Sequence, residues 1–380
     1  MLGQKVRARG KDRLRALLNP KVLIGTVLGA IVLATLLSLS DIQTVWQIIQ
    51  GFPPIFIPVL FAMIIGREML RSGQWRIFLN AIGIHATRRE AFLTLAGGDA
   101  AQILPAGLYF QDLLISRELN TTVSAPLAAT TLMIWMEVTM SMLALAVLGL
   151  PGIPALRPIM AFCGIGSLLV LLLAHTRLLN SVRSLFCFCE GPLARIKLGK
   201  VGRNLIAGMD NFLAAFAGLS HPKVLLTGLG ICAAYMALTI TGFWLVIVGL
   251  GISTIGIAQA TAIYSLVLAV VDMNPLPSDL GVSELSGVGG FLAFHVSEDA
   301  GLAAMLTFRI LLLICEELVA LAAFLLFREE TGRLFRPKDA KKGTMQPLPF
   351  PKASPADAHL ETPEPLGEDS AASGTSGRTP

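Results

Sequence analysis

Ionisable residues in the second half of the chain gather around a Pro- and Gly-containing break in an otherwise apolar region. The break spans residues 274–284 and contains Asp279 and Glu284, and the apolar stretch after it carries Arg309. Charged side chains in an apolar layer are costly and are therefore candidates for function. A guanidinium group binds two phosphate oxygens at once, so Arg309 favours a phosphate site. An internal ion pair of Arg309 with Glu284 or Asp279 fits the sequence equally well.

A second break lies in the first half of the chain, over residues 97–107, and includes Pro105. Asp99 and Asp112 flank it, and Glu137 stands alone in the next apolar stretch. Glu137 is expected to pair with the first break or to line a path for protons or lipids. A hydrogen bond to a neighbouring helix is the alternative, because buried polar groups generally find partners.

The elements that position these residues are set by an apolar composition. Hydrophobic residues make up 54% of the chain and charged residues 14%, whereas soluble domains average about 25% charged residues. This predicts an all-α polytopic membrane protein. The net charge of +5 does not indicate a nucleic-acid partner, because the basic residues cluster at the ends of apolar segments.

The distribution of Arg and Lys predicts the orientation of the chain. Basic residues concentrate in four segments, at 5–21, 67–89, 177–223 and 328–342. By the positive-inside rule all four should be cytoplasmic, as should both termini of a multi-pass inner-membrane protein. The expected external loops, which contain Arg157 as their only basic residue, lie near 40–51, 150–157 and 251–256.

Crossing a hydrocarbon core of about 30 Å takes about 20 helical residues. Apolar segments that meet this requirement or nearly so lie at 22–39, 52–70, 124–149, 158–175, 224–250 and 299–327. Together with the segments around the breaks, they predict about six to eight transmembrane helices.

The two breaks are expected to be the turns of re-entrant hairpins. Residues 90–110 lie between two cytoplasmic segments and should enter, turn at Pro105 and return. Residues 257–297 should dip in from the external face and turn at 274–281. Irregular backbone at membrane depth requires surrounding protein or a wet cavity, and hairpins from opposite faces suggest an inverted repeat. The alternative is that 257–273 and 282–297 are two short full crossings.

Three other segments complete the organisation. Residues 1–21 form a basic cytoplasmic tail before a membrane domain at 22–330. The cytoplasmic loop 176–223 is expected to be partly helical and amphipathic and to lie on the anionic inner leaflet. Residues 331–380 are poor in large apolar residues and are expected to be a disordered cytoplasmic tail.

Both breaks resemble the transmembrane domain of lysylphosphatidylglycerol synthases and their stand-alone, flippase-like relatives. Leu104-Pro105-Ala106-Gly107 is similar to a Leu-Pro-small-Gly stretch of that family, although Leu108 to Asp112 replace the acidic residue and the Arg that follow it there. The stretch from Pro277 to Glu284 resembles the second family motif, with Asp279 in place of a glycine. Thr307-Phe308-Arg309 and the acidic position at Glu137 also look like family features.

The resemblance, over roughly residues 20–330, implies re-entrant hairpins and translocation of a polar lipid headgroup across the membrane. In this hypothesis Arg309 contacts the lipid phosphate, while Glu284, Asp279 and Glu137 shape a polar cavity or contact a cationic headgroup. The residues expected to bind the lipid are Arg309, Glu284, Asp279, Glu137, Gly281, Pro277, Pro105 and Asp112.

Two other functions are compatible with the sequence: a membrane enzyme acting on lipid-linked substrates, and an accessory subunit of lipid or glycolipid biosynthesis that docks through residues 176–223. No clustered nucleophile, base and orienting group is present in the sequence, so an enzyme is not expected. Neither a metal nor another cofactor is expected. Membrane lipids and lipid-biosynthesis enzymes are the expected partners, and a homo-oligomer is compatible with the chain.

Cysteine labelling tests the placement of the two breaks. Cysteines introduced at Pro105 and Asp279 are expected to react slowly with a membrane-impermeant maleimide, because both positions should be enclosed by helices. A cysteine at Ser354 in the C-terminal tail serves as the exposed control. Equal reactivity at all three positions would place the breaks in ordinary surface loops.

Overall fold

In a computed structural model of the protein, the described residues are 34–38, 40–100, 110–119, 121–173, 199–272 and 281–335. All regular elements in these residues are helices, which confirms the all-α prediction. Residues 34–38 are helical, and the remainder of the predicted first helix, 22–39, lies outside the described residues. So do Pro105, Pro277 and Asp279, most of both breaks and the C-terminal tail from residue 336.

The described residues contain twelve named helices, some long and some short. In chain order they are α1 (Ile42–Gln50), α2 (Phe56–Ala81), α3 (Arg88–Ala100), α4 (Phe110–Leu119), α5 (Ser124–Leu148), α6 (Leu156–Leu173), α7 (Gly199–Leu219), α8 (Pro222–Gly249), α9 (Ile257–Asp272), α10 (Val282–Ala293), α11 (Glu298–Leu326) and α12 (Arg328–Phe335).

Two helices, α5 and α8, are long and apolar enough to cross a membrane by length and composition alone. They match the predicted crossings at 124–149 and 224–250. The segments Leu156–Leu172 and Ile257–Asp272 are shorter apolar helices. The helices α2 and α11 are also long, with 26 and 29 residues, but both carry charged residues near their middles.

The second predicted helix, 52–70, is wrong at its C-terminal end. Helix α2 continues to Ala81, so Arg67 and Arg71 lie within the helix. Their side chains are only 15% and 13% exposed. Neighbouring carboxylates compensate the charges of these two arginines within the bundle.

The first pair of short helices, α3 and α4, has the geometry of the first predicted hairpin. A helix rises 1.5 Å per residue, so their 13 and 10 residues span about 20 Å and 15 Å, too short for separate crossings. The C-terminal end of α3 contacts the N-terminal end of α4, since a Cβ built on Gly98 would lie 2.8 Å from Cβ of Gln111.

The second pair, α9 and α10, also packs together, with Gly290 against Ile263. Two full crossings over this region would each need about 30 Å, and the 12 residues of α10 supply about 18 Å. Residues 273–280 lie outside the described residues, so the re-entrant hairpin and the two short crossings both stay predictions for this packed helix pair.

Two segments assigned to loops contain helices, which was expected in part for 176–223 but not for 40–51. The expected external loop 40–51 contains α1, whose N-cap Asp41 accepts a hydrogen bond from the backbone N–H of Gln43. In the predicted loop 176–223, helix α7 packs against α5 and buries Ala215, Phe216 and Leu219. This face is covered by the helical bundle rather than by the inner leaflet. Residues 174–198 lie outside the described residues.

Helices α2 and α8 form an antiparallel pair held together at glycines. Gly242 of α8 lies beside Leu60 of α2, and Gly228, nearer the other end of α8, lies beside Phe78. Gln74 of α2 donates a hydrogen bond of 2.9 Å to the backbone carbonyl of Gly228. Small residues allow helix backbones to approach closely in a membrane, so this seam fixes the spacing of the two helices.

Substitution of Gly228 tests this seam. A Cβ on Gly228 would lie 2.6 Å from Cζ of the fully buried Phe78, so Gly228→Ala should lower the thermal unfolding temperature. The free energy of unfolding should fall by about 1–3 kcal/mol. Gly230→Ala is the matched control, because its Cβ would meet no atom within 4 Å. If the two variants unfold at the same temperature, α2 and α8 do not pack at this position.

Candidate functional site

Charged and hydroxyl side chains lie at the middles of long helices. Glu68 is the thirteenth of 26 residues in α2, and Glu137 is the fourteenth of 25 in α5. Tyr235 is the fourteenth of 28 in α8. In helices centred on a bilayer, these positions fall near the middle of the hydrocarbon core. Polar groups at that depth mark candidate substrate or ion pathways.

Six ionisable side chains from α2, α3, α5 and α11 form one connected group, which we call the charge cluster: Arg67, Glu68, Arg71, Asp99, Glu137 and Glu316. Four carboxyl groups thus face two guanidinium groups. Within the bundle, a buried charge is tolerated only when partners compensate it.

Arg67 connects α2 to the last long helix. Its guanidinium group donates a hydrogen bond to the carboxylate of Glu316 on α11, and its Nη1 lies 3.2 Å from Oε1 of Glu68. Glu316 and Glu68 are 9% and 1% exposed. The pair therefore links α2 and α11 through a largely buried ionic contact.

Arg71 connects α2 to the first hairpin and to α5. Its Nη1 lies 3.1 Å from Oδ2 of Asp99, at the end of α3, and 3.7 Å from Oε1 of Glu68. Its Nε lies 4.0 Å from Oε1 of Glu137, which also accepts a hydrogen bond of 2.5 Å from the Tyr235 hydroxyl. The first hairpin thus ends beside the middles of α2, α5 and α8.

An aromatic cluster lies on the side of the charge cluster that faces the predicted external surface. It consists of Phe243, Tyr264, Phe291 and Phe308, from α8, α9, α10 and α11. The ring centroids of Phe243 and Phe308 are 5.2 Å apart, and those of Tyr264 and Phe308 are 5.8 Å apart. All four rings are at most 8% exposed. The aromatic cluster therefore fills the space between these four helices.

The opposite side of the charge cluster is also tightly packed. Trp75 and Phe78 follow Arg71 on α2 and have no exposed surface, and Gln74 is hydrogen-bonded to α8. The described residues thus pack tightly on both sides of the charge cluster, as expected for an occluded conformation.

An apolar cleft leads to Arg67 between α2, α8 and α11. Its cavity volume is about 20 Å³, so the cleft is narrow in this conformation. Its lining from α2 follows helical spacing, with Leu60, Met63, Ile64 and Arg67 in succession. The other walls are formed by α8, including Leu238 and Gly242, and by α11, including Phe308, Leu311 and Leu312. Arg67 is the only charged residue among the lining residues, and it lines the cleft with the apolar part of its side chain, because the lining surface is entirely apolar. Its guanidinium group lies beyond this wall, on Glu316 and Glu68.

A second ionic contact holds the start of α10 against α11. Arg309 donates a hydrogen bond of 2.7 Å to Oε1 of Glu284 and another to the hydroxyl group of Ser283. The other carboxylate oxygen of Glu284 accepts bonds from the backbone N–H of Gly281, at 2.7 Å, and from Ser283, at 2.9 Å. The ion pair allowed by the sequence is therefore present.

Gly281 has a structural role at this contact. Its φ of 82° is in the left-handed region that favours glycine, and it is the N-cap of α10. This backbone turn directs the Gly281 N–H to the carboxylate of Glu284. Arg309 keeps 25% of its side chain exposed while it binds Glu284.

Asp112 belongs to a separate polar contact within the first hairpin. Its Oδ1 accepts a hydrogen bond of 2.7 Å from the Thr130 hydroxyl, which in turn accepts one of 2.9 Å from Gln111. Asp112 is fully buried. The chain of hydrogen bonds joins α4 to α5, so the carboxyl group of Asp112 helps to hold the hairpin.

The structure separates the sequence-predicted residues into three sets. Glu137 lies in the charge cluster, Arg309, Glu284 and Gly281 form the second contact, and Asp112 lies in the hairpin. Pro105, Pro277 and Asp279 lie outside the described residues, so their predicted roles stay predictions.

Sequence reasoning missed Arg67, Glu68, Arg71 and Tyr235 as site residues. One pattern in the sequence could have indicated them. Arg67 and Arg71 are four residues apart and Glu68 and Arg71 are three apart, so these side chains share a helix face within an apolar segment. That segment was assigned as a cytoplasmic flank instead. Tyr235 had no signal of its own in the sequence.

No three His, Cys, Asp or Glu side chains in the described part of the chain are arranged to hold a metal ion. The carboxylates of the charge cluster are instead interleaved with arginines.

Comparison with known proteins gives one family. The family model for the lysylphosphatidylglycerol synthase TM region matches residues 22–316, which contain the charge cluster and both short helix pairs. No curated protein and no solved structure matches the chain.

The contact between Arg309 and Glu284 generates a stability prediction. Arg309→Ala should lower the free energy of unfolding by about 3–5 kcal/mol, because it leaves the buried carboxylate of Glu284 without its cation. Combining Arg309→Met with Glu284→Gln should restore most of the loss, since neither charge then remains. Thermal unfolding in detergent measures the stability of both variants, with Arg89→Ala as the control, because the Arg89 side chain is 65% exposed. An unchanged unfolding temperature for Arg309→Ala would show that the ion pair is not structural.

Proposed function

Because the chain belongs to the family of the lysylphosphatidylglycerol synthase TM region, we propose that it translocates a polar phospholipid headgroup across the membrane. Family membership makes it a membrane protein of lipid metabolism or transport. The observation that carries the finer proposal is the apolar cleft that ends at the charge cluster. A lipid needs a polar path for its headgroup only, since its acyl chains can stay in hydrocarbon.

Arg67 is the group best placed to meet a lipid phosphate. It lies where the apolar cleft reaches the charge cluster, and a guanidinium group binds phosphate oxygens through two parallel N–H groups. In the occluded conformation Arg67 is bound to Glu316. A phosphate that enters the cleft would compete with Glu316 for the same guanidinium group, so lipid binding would loosen the contact between α2 and α11.

Arg309 offers a second position along the same helix. Arg309 and Glu316 are seven residues apart, which places them about 10 Å apart on one face of α11. Arg309 is a quarter exposed, as a group that receives a headgroup needs to be. We propose that α11 presents Arg309, Glu316 and the Arg67 bound to it as successive polar contacts for one headgroup.

Movement requires the two sides of the charge cluster to open in turn. The aromatic cluster and the packing of Trp75 and Phe78 close the space on opposite sides. In this proposal the short hairpins are the elements that tilt, and each is held to a long helix by an ion pair that must break first. Loss of the contact between Arg71 and Asp99 would release the first hairpin, and loss of that between Arg309 and Glu284 would release the second.

Orientation and location are part of the proposal. We place both termini in the cytoplasm and the protein in an inner membrane. Arg88 and Arg89 begin α3, and Arg328 follows α11, so the ends of two elements share a basic surface. Arg89 lies 3.2 Å from Glu330 and its guanidinium group lies over the Phe327 ring. The positive-inside rule assigns this end to the cytoplasm. In this proposal the chain is a translocase rather than an enzyme, and its partners are membrane lipids.

Reconstitution tests the role of Arg67. Purified protein is placed in liposomes with a headgroup-labelled phospholipid, and an impermeant quencher reports label that reaches the outer leaflet. Arg67→Gln should slow translocation about ten- to hundredfold, the loss expected for one charge-assisted hydrogen bond. Arg157→Gln, an exposed arginine at the start of α6, is the control.

A folding defect is separated from a transport defect by Arg67→Gln combined with Glu316→Gln. This variant removes both charges of the ion pair. It should keep the wild-type elution profile and unfolding temperature, while its rate of lipid translocation remains low. Equal rates of lipid translocation in wild type, protein-free liposomes and all variants would contradict the proposal. Formation of a modified lipid from added donor would favour an enzyme instead.

A further inference from the structure

We propose that Glu68 and Asp99 share an exchangeable proton, and that this proton site is coupled to lipid movement. The proton site follows from the charge cluster itself. The coupling rests on the proposed function, and the two parts are tested by different measurements.

The first argument is the balance of charge. The four carboxyl groups and two guanidinium groups of the charge cluster would carry an excess of two negative charges if all were ionised. Glu68, Asp99 and Glu316 are at most 9% exposed, so solvent does little to stabilise that excess. A buried uncompensated charge is neutralised most readily by binding a proton.

The second argument locates the proton. The carboxyl groups of Glu68 and Asp99 approach the same nitrogen, Nη1 of Arg71, at 3.7 Å and 3.1 Å. Two carboxylates that converge on one cation repel each other, and a proton bound to one of them relieves the repulsion. Arg67 donates its hydrogen bond to Glu316, and Arg71 donates to Asp99. Among the described residues, neither oxygen of Glu68 accepts a hydrogen bond, although Nη1 of Arg67 lies 3.2 Å from Oε1. A proton on Glu68 would give this carboxyl group the O–H that it needs to bind Asp99.

Other titratable groups face this site from the helices packed around it. Glu137 of α5 and Glu316 of α11 add negative charge, and the Tyr235 hydroxyl on α8 is bound to Glu137. Cys232 of α8, and Tyr264 and Asp272 of α9, lie within electrostatic range. Arg67 and Arg71 are the cations of this group in the described residues. None of the added groups offsets the negative excess, since Asp272 can only increase it and the thiol and phenol groups are uncharged when protonated.

The proton would couple to the lipid through Arg67. A phosphate bound to Arg67 displaces Glu316 and brings further negative charge to the cluster, which strengthens proton binding at Glu68 and Asp99. Linkage requires the reverse effect as well, so the bound proton strengthens phosphate binding. The step moves one proton onto a carboxylate oxygen and later off it, with no other bond changed and no electron transferred.

Infrared spectroscopy tests the proton site without transport. Purified wild-type protein at neutral pH should show the C=O stretching band of a protonated carboxyl group, and Glu68→Gln should remove part of that band. Asp112 is a second buried carboxyl group, so the band is assigned from the difference between wild type and Glu68→Gln. Glu284→Gln is the matched spectroscopic control, because Glu284 is equally buried but paired with Arg309. A band unchanged by Glu68→Gln would overturn the proton site.

Liposomes with a pH difference test the coupling. If one proton moves with each lipid, the steady-state ratio of labelled lipid between leaflets should change up to about tenfold per pH unit. The ratio in Glu68→Gln should no longer depend on the pH difference, while Glu329→Gln, at an exposed position of α12, should behave as wild type. A wild-type ratio that is independent of the pH difference would overturn the coupling alone.

Proton uptake on lipid binding keeps the two proposals separable. In weakly buffered detergent solution, adding an anionic phospholipid to wild-type protein should raise the pH of the solution, and adding it to Glu68→Gln should not. If wild-type protein moves no lipid in liposomes, the proposed function fails while the infrared band still decides the proton site. If lipid moves but Glu68→Gln leaves both the band and the uptake unchanged, the proton proposal fails alone.

Discussion

The architecture depends on one constraint: charge inside the helical bundle must be neutralised by the protein, because solvent does not reach it. Arg67 and Arg71 each bind a carboxylate on a different element, and this ties α2 to α11 and to the end of α3. The same constraint fixes the start of α10, where Arg309 binds Glu284. Ionic contacts thus hold both short helix pairs to long helices.

The charge cluster and the apolar packing contacts have different structural roles. Glycines let α2 and α8 approach closely, and the aromatic cluster fills the space between α8, α9, α10 and α11. These contacts create a scaffold that is tight on both sides of the charged layer. The apolar cleft reaches that layer at Arg67, whereas the first hairpin is anchored one helical turn further along α2, at Arg71.

Much of the fold could be predicted from the sequence, because hydropathy and length suffice for helices such as α5 and α8. The two hairpins followed from parity between basic segments and from the Pro- and Gly-containing breaks. The site was predicted less well. Glu137, Arg309 and Glu284 were recognised as unusual charges in apolar stretches, whereas Arg67 and Arg71 were assigned to a cytoplasmic flank. Hydropathy cannot distinguish an arginine at a helix end from one neutralised by Asp99 or Glu316, since those partners are distant in the chain.

The contact of Arg89 with Glu330 and Phe327 has a mechanical consequence. It joins the outer end of the first hairpin to the segment after α11, so these two elements are expected to tilt as one body. An exposed ion pair contributes only about 0–1 kcal/mol and is screened by salt. The stiffness of this joint, and with it the amplitude of hairpin motion, should therefore vary with the ionic strength of the surrounding solution.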